Sequence, residues 1–181
     1  MQTELVDVKV DARIVADEVG GQHAGETNFT YEPPTSPHYT ADHLGKGKIL
    51  KFERRLTWHT TVTIKTTYPV GSDPDQLSGY GRGTKKEDSD NGDITLGFHE
   101  QCHRDDYERY LKSHPLPDPP KLHVGMTVAE LTKTQTEFNE KVKAYFESMR
   151  ADSVSRTDEV GYRRSTYKRT KIPYRHTLPA E

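Results

Sequence analysis

The sequence has little cysteine, no long apolar run and almost no net charge. Its single cysteine, Cys102, excludes a disulfide bond within the chain. No apolar stretch approaches the roughly 20 residues that a membrane-spanning helix needs. The 26 basic and 28 acidic residues leave a net charge of −2 at pH 7, so no overall field attracts nucleic acid or an anionic membrane. We therefore expect neither a membrane span nor a nucleic-acid partner.

Apolar residues are also scarce. They make up 31% of the 181 residues, well below the roughly 45–50% of a usual globular chain. This composition predicts a modest core with long solvated loops, in a chain long enough to form one domain. We expect a single domain over residues 1–181, with a β and loop part at 1–47, a core at 48–165 and a C-terminal segment at 166–181.

The N-terminus has no recognisable targeting segment. Residues 1–5 lack the basic start of a secretory signal, and no apolar stretch follows them. The simplest interpretation is a cytoplasmic protein. The alternative is a protein exported by a route that uses no classical N-terminal signal.

Alternating apolar residues predict β-strands in the first part of the chain. Residues 6–14 alternate between apolar and charged side chains, which predicts a strand with one buried face. Residues 48–69 are the richest β segment, and one face carries Trp58, Thr60, Val62, Ile64, Thr66 and Tyr68. Residues 22–47 hold short β-like pieces around Phe29 and Tyr31, followed by several prolines, and are predicted to be mostly loop. Residues 71–92 are crowded with Gly, Asp, Ser and Lys, which predicts an exposed and mobile loop.

Two helices are predicted after the strands. The first begins between Asp90 and Asp93, with Asn91 or Asp93 as its N-cap, and continues to about Ser113, where a run of prolines stops it. The second covers about residues 127–151. Its apolar stripe has helical spacing and consists of Val128, Leu131, Phe138, Val142, Tyr145 and Met149. The sequence therefore predicts an α+β fold, with antiparallel strands first and helices after them.

The most informative motif is the run from His99 to His103, which reads His-Glu-Gln-Cys-His. Positions four apart lie one above the other on a helix, so the two imidazoles can reach one metal ion. Glu100 lies about 100° around the helix from His99, where it can take a proton from a water molecule that the metal activates. This arrangement is typical of zinc-dependent hydrolases. The alternative is a pair of histidines without a metal, and we interpret Cys102 as a buried side chain rather than a ligand.

A catalytic zinc ion usually has three protein ligands and an open position for water. The third ligand cannot be a histidine six residues after His103, because Arg109 stands there. The remaining candidates are His114, His123, Glu130 and Glu159. The stretch Thr157–Tyr162 is suggestive, because it follows the second long helix, where a returning loop could face the first helix.

These features resemble the zincin clan of metallopeptidases. The chain is similar to a family of predicted, largely uncharacterised bacterial zinc proteases, which have a Trp-containing β segment before the HExxH helix and a second long helix after it. The stretch after that helix also resembles the aspzincin pattern Gly-Thr-x-Asp-x-x-Tyr-Gly. Thr157 takes the Thr position, Glu159 the position of the ligand Asp and Tyr162 the Tyr position. Arg156 and Arg163 stand in place of the two glycines.

The resemblance implies a zincin-like fold over about residues 50–165 and a zinc ion held by His99, His103 and Glu159. The alternatives for the third ligand are His123, Asp158, His114 and Glu130. The resemblance also implies that Tyr162 stabilises the oxyanion of the reaction, with a tyrosine packed on the sheet as the alternative.

We therefore expect a zinc-dependent metallopeptidase that hydrolyses peptide bonds in peptides or proteins, with Glu100 as general base. The β segment 57–68 could supply an edge strand that aligns an extended substrate through main-chain hydrogen bonds. One alternative is a non-enzymatic zinc-binding module with a structural or docking role, or the cargo of a larger protein assembly. Another is a zinc hydrolase that acts on other material, such as cell wall.

Two further patterns receive a plainer interpretation. Residues 88–94 resemble a calcium-binding loop, but the twelfth position would be Phe98 instead of the bidentate Glu, so we predict a solvated acidic turn. Residues 162–175 combine basic and tyrosine side chains, which can bind nucleic acid. Because no recognisable nucleic-acid-binding module accompanies them, we interpret them as a solvated strand or a docking tail.

Overall fold

The protein is described by a computed structural model that covers residues 8–19, 25–42, 47–54, 58–69 and 71–164. The predicted C-terminal segment 166–181, and with it most of the proposed docking tail, lies outside the described residues. The side chain of Trp58 also lies outside them. Among the described residues, none of the helices has both the length and the apolar character that crossing a bilayer requires.

The fold is α+β, with strands before helices, as the sequence predicts. The strands are β1 (Val8–Val19), β2 (Glu26–Thr30), β3 (His38–Ala41), β4 (Ile49–Arg54) and β5 (Trp58–Tyr68). The helices are α1 (Lys86–Asn91), α2 (Leu96–Ser113) and α3 (Val128–Ser153). A short π-helical turn, Val154–Asp158, directly follows α3 and is called the π-turn below.

The described residues divide into two compact units. One takes residues from Met1–Ala12, Tyr31–Val62 and Pro115–Glu147, and the other from Arg13–Thr30, Thr63–His114 and Ser148–Glu181. The second unit contains the predicted site residues His99, Glu100, His103, Glu159 and Tyr162. The candidate site can therefore be described within one unit.

The larger sheet has the strand order β1-β5-β2. In β5, Val62, Ile64, Thr66 and Tyr68 are buried whereas Thr61 is exposed, which confirms the predicted alternation. β2 pairs antiparallel with β5, and Thr27 lies opposite Thr66. Because β5 is the central strand, the prediction that it offers a free edge to substrate is wrong. β1 lies along one side of β5, and on the other side β2 pairs with residues 63–67.

The first unit is built on the smaller sheet and on most of α3. Its core consists of Ile49, Met126 and Leu131, against which Phe52, Leu122 and Val128 pack. Ile49 is the first residue of β4, which pairs antiparallel with β3. The Thr127 amide donates a hydrogen bond to the Glu130 carboxylate, and the Glu130 amide donates one to the Thr127 hydroxyl. This reciprocal pair is a capping box at the start of α3. Glu130 is therefore a helix cap.

Helix α2 begins later than the sequence predicts. Gly92 ends α1 in the left-handed conformation, with φ of 84°, so the chain turns before α2 can start. Thr95 is the N-cap, and its hydroxyl accepts a hydrogen bond from the Phe98 amide at 3.1 Å. The prediction of Asn91 or Asp93 as N-cap is therefore wrong, while the predicted end at Ser113 is confirmed.

The prediction of an exposed loop over residues 71–92 is wrong in its central part. The segment contains α1, and five of its residues are buried: Ser78, Gly81, Gly83, Thr84 and Asp88. Glycines make this burial possible, because a residue without Cβ lets two backbones approach closely. This segment packs against α2 at the candidate site.

Candidate metal centre

Helix α2 presents His99 and His103 on its buried face. The centroids of the two rings lie 5.1 Å apart, as expected for residues one helical turn apart. Only 2% of His99 and 8% of His103 is exposed. Polar rings are rarely buried to this degree without partners, so the groups around each nitrogen decide what the pair can do.

Asp158, the last residue of the π-turn, lies between the two rings. Its Oδ1 atom is 3.2 Å from His99 Nε2 and 3.1 Å from His103 Nε2. Within the described part of the chain, these three side chains form the one group whose ligand atoms lie close enough together, within 4.8 Å, to hold a metal ion. A tetrahedral zinc ion with bonds of about 2.0–2.1 Å separates its ligand atoms by about 3.3 Å. The observed spacings between the oxygen and the two nitrogens match this value.

The hydrogen bond at the other ring nitrogen of His99 fixes its tautomer. Nδ1 lies 3.1 Å from the backbone carbonyl oxygen of Arg82, and a carbonyl oxygen can only accept. Nδ1 therefore carries a hydrogen, which in the neutral ring leaves a lone pair on Nε2. Nε2 is buried, and its nearest polar neighbour, Asp158 Oδ1 at 3.2 Å, does not lie in hydrogen-bond geometry. A lone pair that faces a carboxylate requires a cation between them, which is either a proton or a metal ion.

His103 is held in the same way by a different partner. Its Nδ1 atom is 2.8 Å from the hydroxyl oxygen of Ser153, which is fully buried at the end of α3. Both rings thus direct Nε2 toward Asp158 and use Nδ1 for a supporting hydrogen bond. Metal-binding histidines have this arrangement, because the second hydrogen bond orients the ring.

The charges of the site favour a cation. Burial raises the pKa of Asp158, but its bonds to His103 and His99 outweigh burial and bring the pKa down to about 2. Burial lowers the pKa of His99, but the contact with Asp158 and the charge of Glu100 outweigh it and the pKa is raised. The Asp158 carboxylate therefore stays ionised and faces the Nε2 atoms of both histidines in a largely buried site.

The sheet holds Glu100, which is 3% exposed. The Thr27 hydroxyl donates a hydrogen bond of 2.6 Å to Glu100 Oε2, and the Thr66 hydroxyl lies 2.8 Å from that of Thr27. The backbone of Gly25 approaches so closely that a Cβ atom there would lie 2.9 Å from Glu100 Oε1. Two threonines and a glycine therefore fix the carboxylate of Glu100 at one position.

The structure does not bring Glu159 into the group of ligand atoms. Glu159 caps the π-turn, where its amide donates a hydrogen bond of 3.0 Å to the Val154 carbonyl. Asp158, one of the alternatives to it, lies beside the imidazoles instead. The amide of Tyr162 donates to the Thr84 hydroxyl at 2.9 Å, and its ring faces the guanidinium of Arg164.

The other candidates for the third ligand are also elsewhere. His114 is exposed at the end of α2 and stacks on Tyr110, with ring centroids 3.9 Å apart. His123 is exposed in the first unit, and Glu130 caps α3. Cys102 is buried, as predicted, and burial raises the pKa of its thiol to about 12. A thiol that stays protonated is a poor metal ligand.

A glycine-rich segment that sequence reasoning missed covers His99. Gly81 has φ of 64°, and a Cβ atom there would lie 2.9 Å from His99 Cε1 and would collide with the Thr157 carbonyl. The ring of Tyr80 meets that of His99 edge to face at 5.0 Å between centroids. The spacing of Gly79, Gly81 and Gly83 was the available signal, because glycines at alternate positions mark a close approach of backbone to another group.

Comparison with protein-family models, with curated proteins and with solved structures finds no match in any of the three. The chemistry of the site is therefore inferred from its own geometry. That geometry consists of two nitrogens and one carboxylate oxygen at ligand spacing, with a second carboxylate, that of Glu100, next to His99 in the chain.

Proposed function

We propose that this protein is a zinc-dependent metallopeptidase, in which His99, His103 and Asp158 bind the zinc ion and Glu100 is the general base. The observation that carries the proposal is the convergence of two buried Nε2 atoms on one carboxylate oxygen, at 3.1 and 3.2 Å. The buried Nε2 of His99 supports it further, because its lone pair faces the Asp158 carboxylate without a hydrogen bond, which is costly unless a cation lies between them.

The ligand set favours zinc among the divalent metals. Imidazole nitrogens suit zinc, whereas calcium and magnesium take oxygen ligands. Three protein ligands are the number found in catalytic zinc sites, which keep a fourth position for water or substrate. The proposal thus agrees with the resemblance to zincins and differs from it in using Asp158 instead of Glu159.

When bound, a zinc ion would polarise a substrate carbonyl and make a water molecule acidic enough to react near neutral pH. Glu100 would accept the proton of that water as the water oxygen adds to the carbonyl carbon, and would give the proton to the amine as the C–N bond breaks. Thr27 donates a hydrogen bond of 2.6 Å to the Glu100 carboxylate, so the carboxylate keeps its orientation through both proton transfers. The role of Tyr162 at the oxyanion stays a prediction from the resemblance.

A non-enzymatic zinc-binding module, with a structural or docking role, is the second candidate. The burial of the site favours it, because His99, Glu100 and His103 are only 2%, 3% and 8% exposed. Structural zinc sites are closed, whereas a catalytic site needs access for substrate.

The variant Glu100→Gln separates the two candidates. Glutamine keeps an oxygen that can accept the bond from Thr27, but it cannot take a proton. If the protein is a peptidase, wild type and variant both bind zinc, and only the wild type cleaves a broad peptide library. Glu108→Gln on the same helix, where Glu108 pairs with Lys112, is the control and should cleave like the wild type.

Three other results would change the proposal. A wild type that binds zinc tightly but cleaves neither peptides nor cell-wall polymers overturns the hydrolase proposal and favours the binding module. Cleavage of cell-wall polymers alone, lost in Glu100→Gln, overturns the choice of substrate but not the role of Glu100. A wild type without bound zinc after careful preparation rejects both candidates.

A further inference from the structure

The backbone of Arg82 connects two sides of the metal centre. Its carbonyl accepts the hydrogen bond from His99 Nδ1 at 3.1 Å. Its amide donates a hydrogen bond of 2.8 Å to the carbonyl of Thr157, the residue before Asp158. The position of this single residue therefore affects the orientation of one ligand and the place of another.

The side chain of Arg82 is clamped by Asp88. Arg82 Nε lies 2.9 and 3.1 Å from the two carboxylate oxygens, and one terminal nitrogen of the guanidinium lies 2.8 Å from Oδ1. Asp88 Oδ2 also accepts a hydrogen bond of 2.8 Å from the Gly83 amide. Asp88 is 4% exposed. This carboxylate therefore holds both the side chain of Arg82 and the peptide that follows it.

The glycines on either side of Arg82 explain why a clamp is needed. Gly81 and Gly83 have φ of 64° and 88°, and glycine loses more conformational freedom on folding than any other residue. The backbone between two such residues is poorly constrained by its own sequence. The bidentate contact with Asp88 supplies the missing constraint, since a guanidinium that binds a carboxylate through two nitrogens has a fixed orientation.

We propose that the Arg82–Asp88 ion pair is a positioning pair of the metal centre, which holds the Arg82 peptide where it orients His99 and supports the turn that carries Asp158. The proposal rests on the metal site described under the proposed function. A purely structural role would differ in its consequences. It would change the stability of the metal-free and zinc-bound forms equally and leave the affinity for zinc unchanged.

The test compares Asp88→Asn with Asp90→Asn. Asparagine at position 88 can still accept from the Gly83 amide, but it cannot also accept from both nitrogens of Arg82. Asp90 lies on the same helix and pairs with exposed Lys86, so its variant makes the same charge change away from the site. Zinc affinity is measured by competition with a chelating dye. The absorption spectrum of the cobalt-substituted protein reports the ligand geometry.

We expect Asp88→Asn to weaken zinc binding by about tenfold or more, as loss of a supporting partner of a metal ligand does, and to alter the cobalt spectrum. Asp90→Asn should match the wild type in both measurements. Zinc affinity of Asp88→Asn within about twofold of the wild type, with an unchanged cobalt spectrum, overturns the proposal.

A second variant keeps the test decisive if Asp88→Asn does not fold. Arg82→Lys retains the charge but cannot present two nitrogens to the carboxylate, so zinc binding should again weaken and the cobalt spectrum should change. Unchanged zinc affinity in Arg82→Lys would overturn the proposal on its own. A wild type that binds no zinc would instead reject the metal site itself, which distinguishes the two failures.

Discussion

The two halves of the candidate metal centre are built in different ways. His99, Glu100 and His103 come from one turn of α2 and are neighbours because a helix makes them so. Asp158 and the groups that hold the imidazoles come from other segments. The hydrogen bond of His103 to Ser153 spans 50 positions of the chain, and that to Asp158 spans 55.

The helical half requires only local structure, whereas the other half requires contacts between segments that are far apart in the sequence. The helical half exists wherever α2 forms, since it depends only on spacing and on a helix. The other half exists only after the chain has brought the π-turn and the glycine-rich segment around Arg82 against α2. Changes in the helical half should therefore remove ligands outright, and changes in the other half should mostly misplace ligands that remain.

The largest effect is expected in the helical half. His99→Ala and His103→Ala each remove one of two nitrogen donors, so each should abolish stoichiometric zinc binding, measured as metal content after dialysis. His114→Ala, at the exposed end of the same helix, should keep a full complement of zinc. One zinc ion per chain in either of the first two variants would contradict the assigned site.

The next effect tests the third ligand. Asp158→Asn preserves side-chain volume but removes the charge that faces both imidazoles, so zinc affinity should fall by more than about 100-fold, the upper range for losing only a supporting group. Glu159→Gln is the matched change one position away and should leave the affinity within about twofold. The opposite ranking of the two variants would restore Glu159 as the ligand.

A smaller effect is expected from the sheet residue Thr27, which supports Glu100 of the helical half. Thr27→Val removes the hydrogen bond to Glu100 and should lower the rate of peptide cleavage by about tenfold, within the contribution of a general base, while zinc affinity stays unchanged. Thr27→Ser should retain activity, because serine keeps the hydroxyl. Thr30→Val, at an exposed position of the same strand, is the control. Full activity in Thr27→Val would show that Glu100 needs no such support.

The smallest effect concerns the pH dependence of stability. Burial raises the pKa of Asp88, but its bonds to Arg82 and Gly83 outweigh burial and the pKa is lowered. Its contribution to stability is therefore present above the pKa of the unfolded chain and is lost as pH falls through the lower folded-state pKa. Near neutral pH the free energy of unfolding of the metal-free wild type should exceed that of metal-free Asp88→Asn by roughly 1–3 kcal/mol, measured by urea unfolding.

This difference in the free energy of unfolding should shrink as pH falls below about 5, where the Asp88 carboxyl of the unfolded chain begins to take up protons, and should be lost as pH passes through the lower pKa of the folded protein. The asparagine of the Asp88→Asn variant does not titrate, since an amide has no acidic proton to lose in this range. The change with pH therefore reports the Asp88 carboxylate of the wild type. A difference that stays constant over the same interval would show that this carboxylate is not preferentially stabilised in the folded protein.

Sequence patterns predicted much of the fold and only part of the site. The alternation of β5 is confirmed. The predicted stripe of α3 is confirmed in part, because Leu131, Phe138, Val142 and Met149 are buried, whereas Val128 and Tyr145 are half-buried. The N-cap of α2 was predicted too early because Gly92 adopts the left-handed conformation, which separates α1 from α2. The burial of Gly81 and Asp88 was missed, because polar and glycine-rich composition is typical of both exposed loops and close backbone contacts.

The candidate third ligand shows most clearly what the sequence alone cannot predict. Asp158 and Glu159 are adjacent carboxylates past the end of α3, so composition cannot distinguish them. The structure places Asp158, the last residue of the π-turn, beside the imidazoles, and Glu159 at the cap of the turn. A π-helical turn contains one residue more than an α-helical turn, and the sequence pattern does not reveal it.

By itself, the sequence determines that two imidazoles and a carboxylate share one helical turn, because a separation of four residues places side chains on one face of any α-helix. Only the tertiary structure decides that Asp158 meets them and that Arg82, Thr27 and Ser153 hold them. Those contacts join segments from 17 to 73 positions apart. They depend on turns whose geometry comes from packing and not from local spacing.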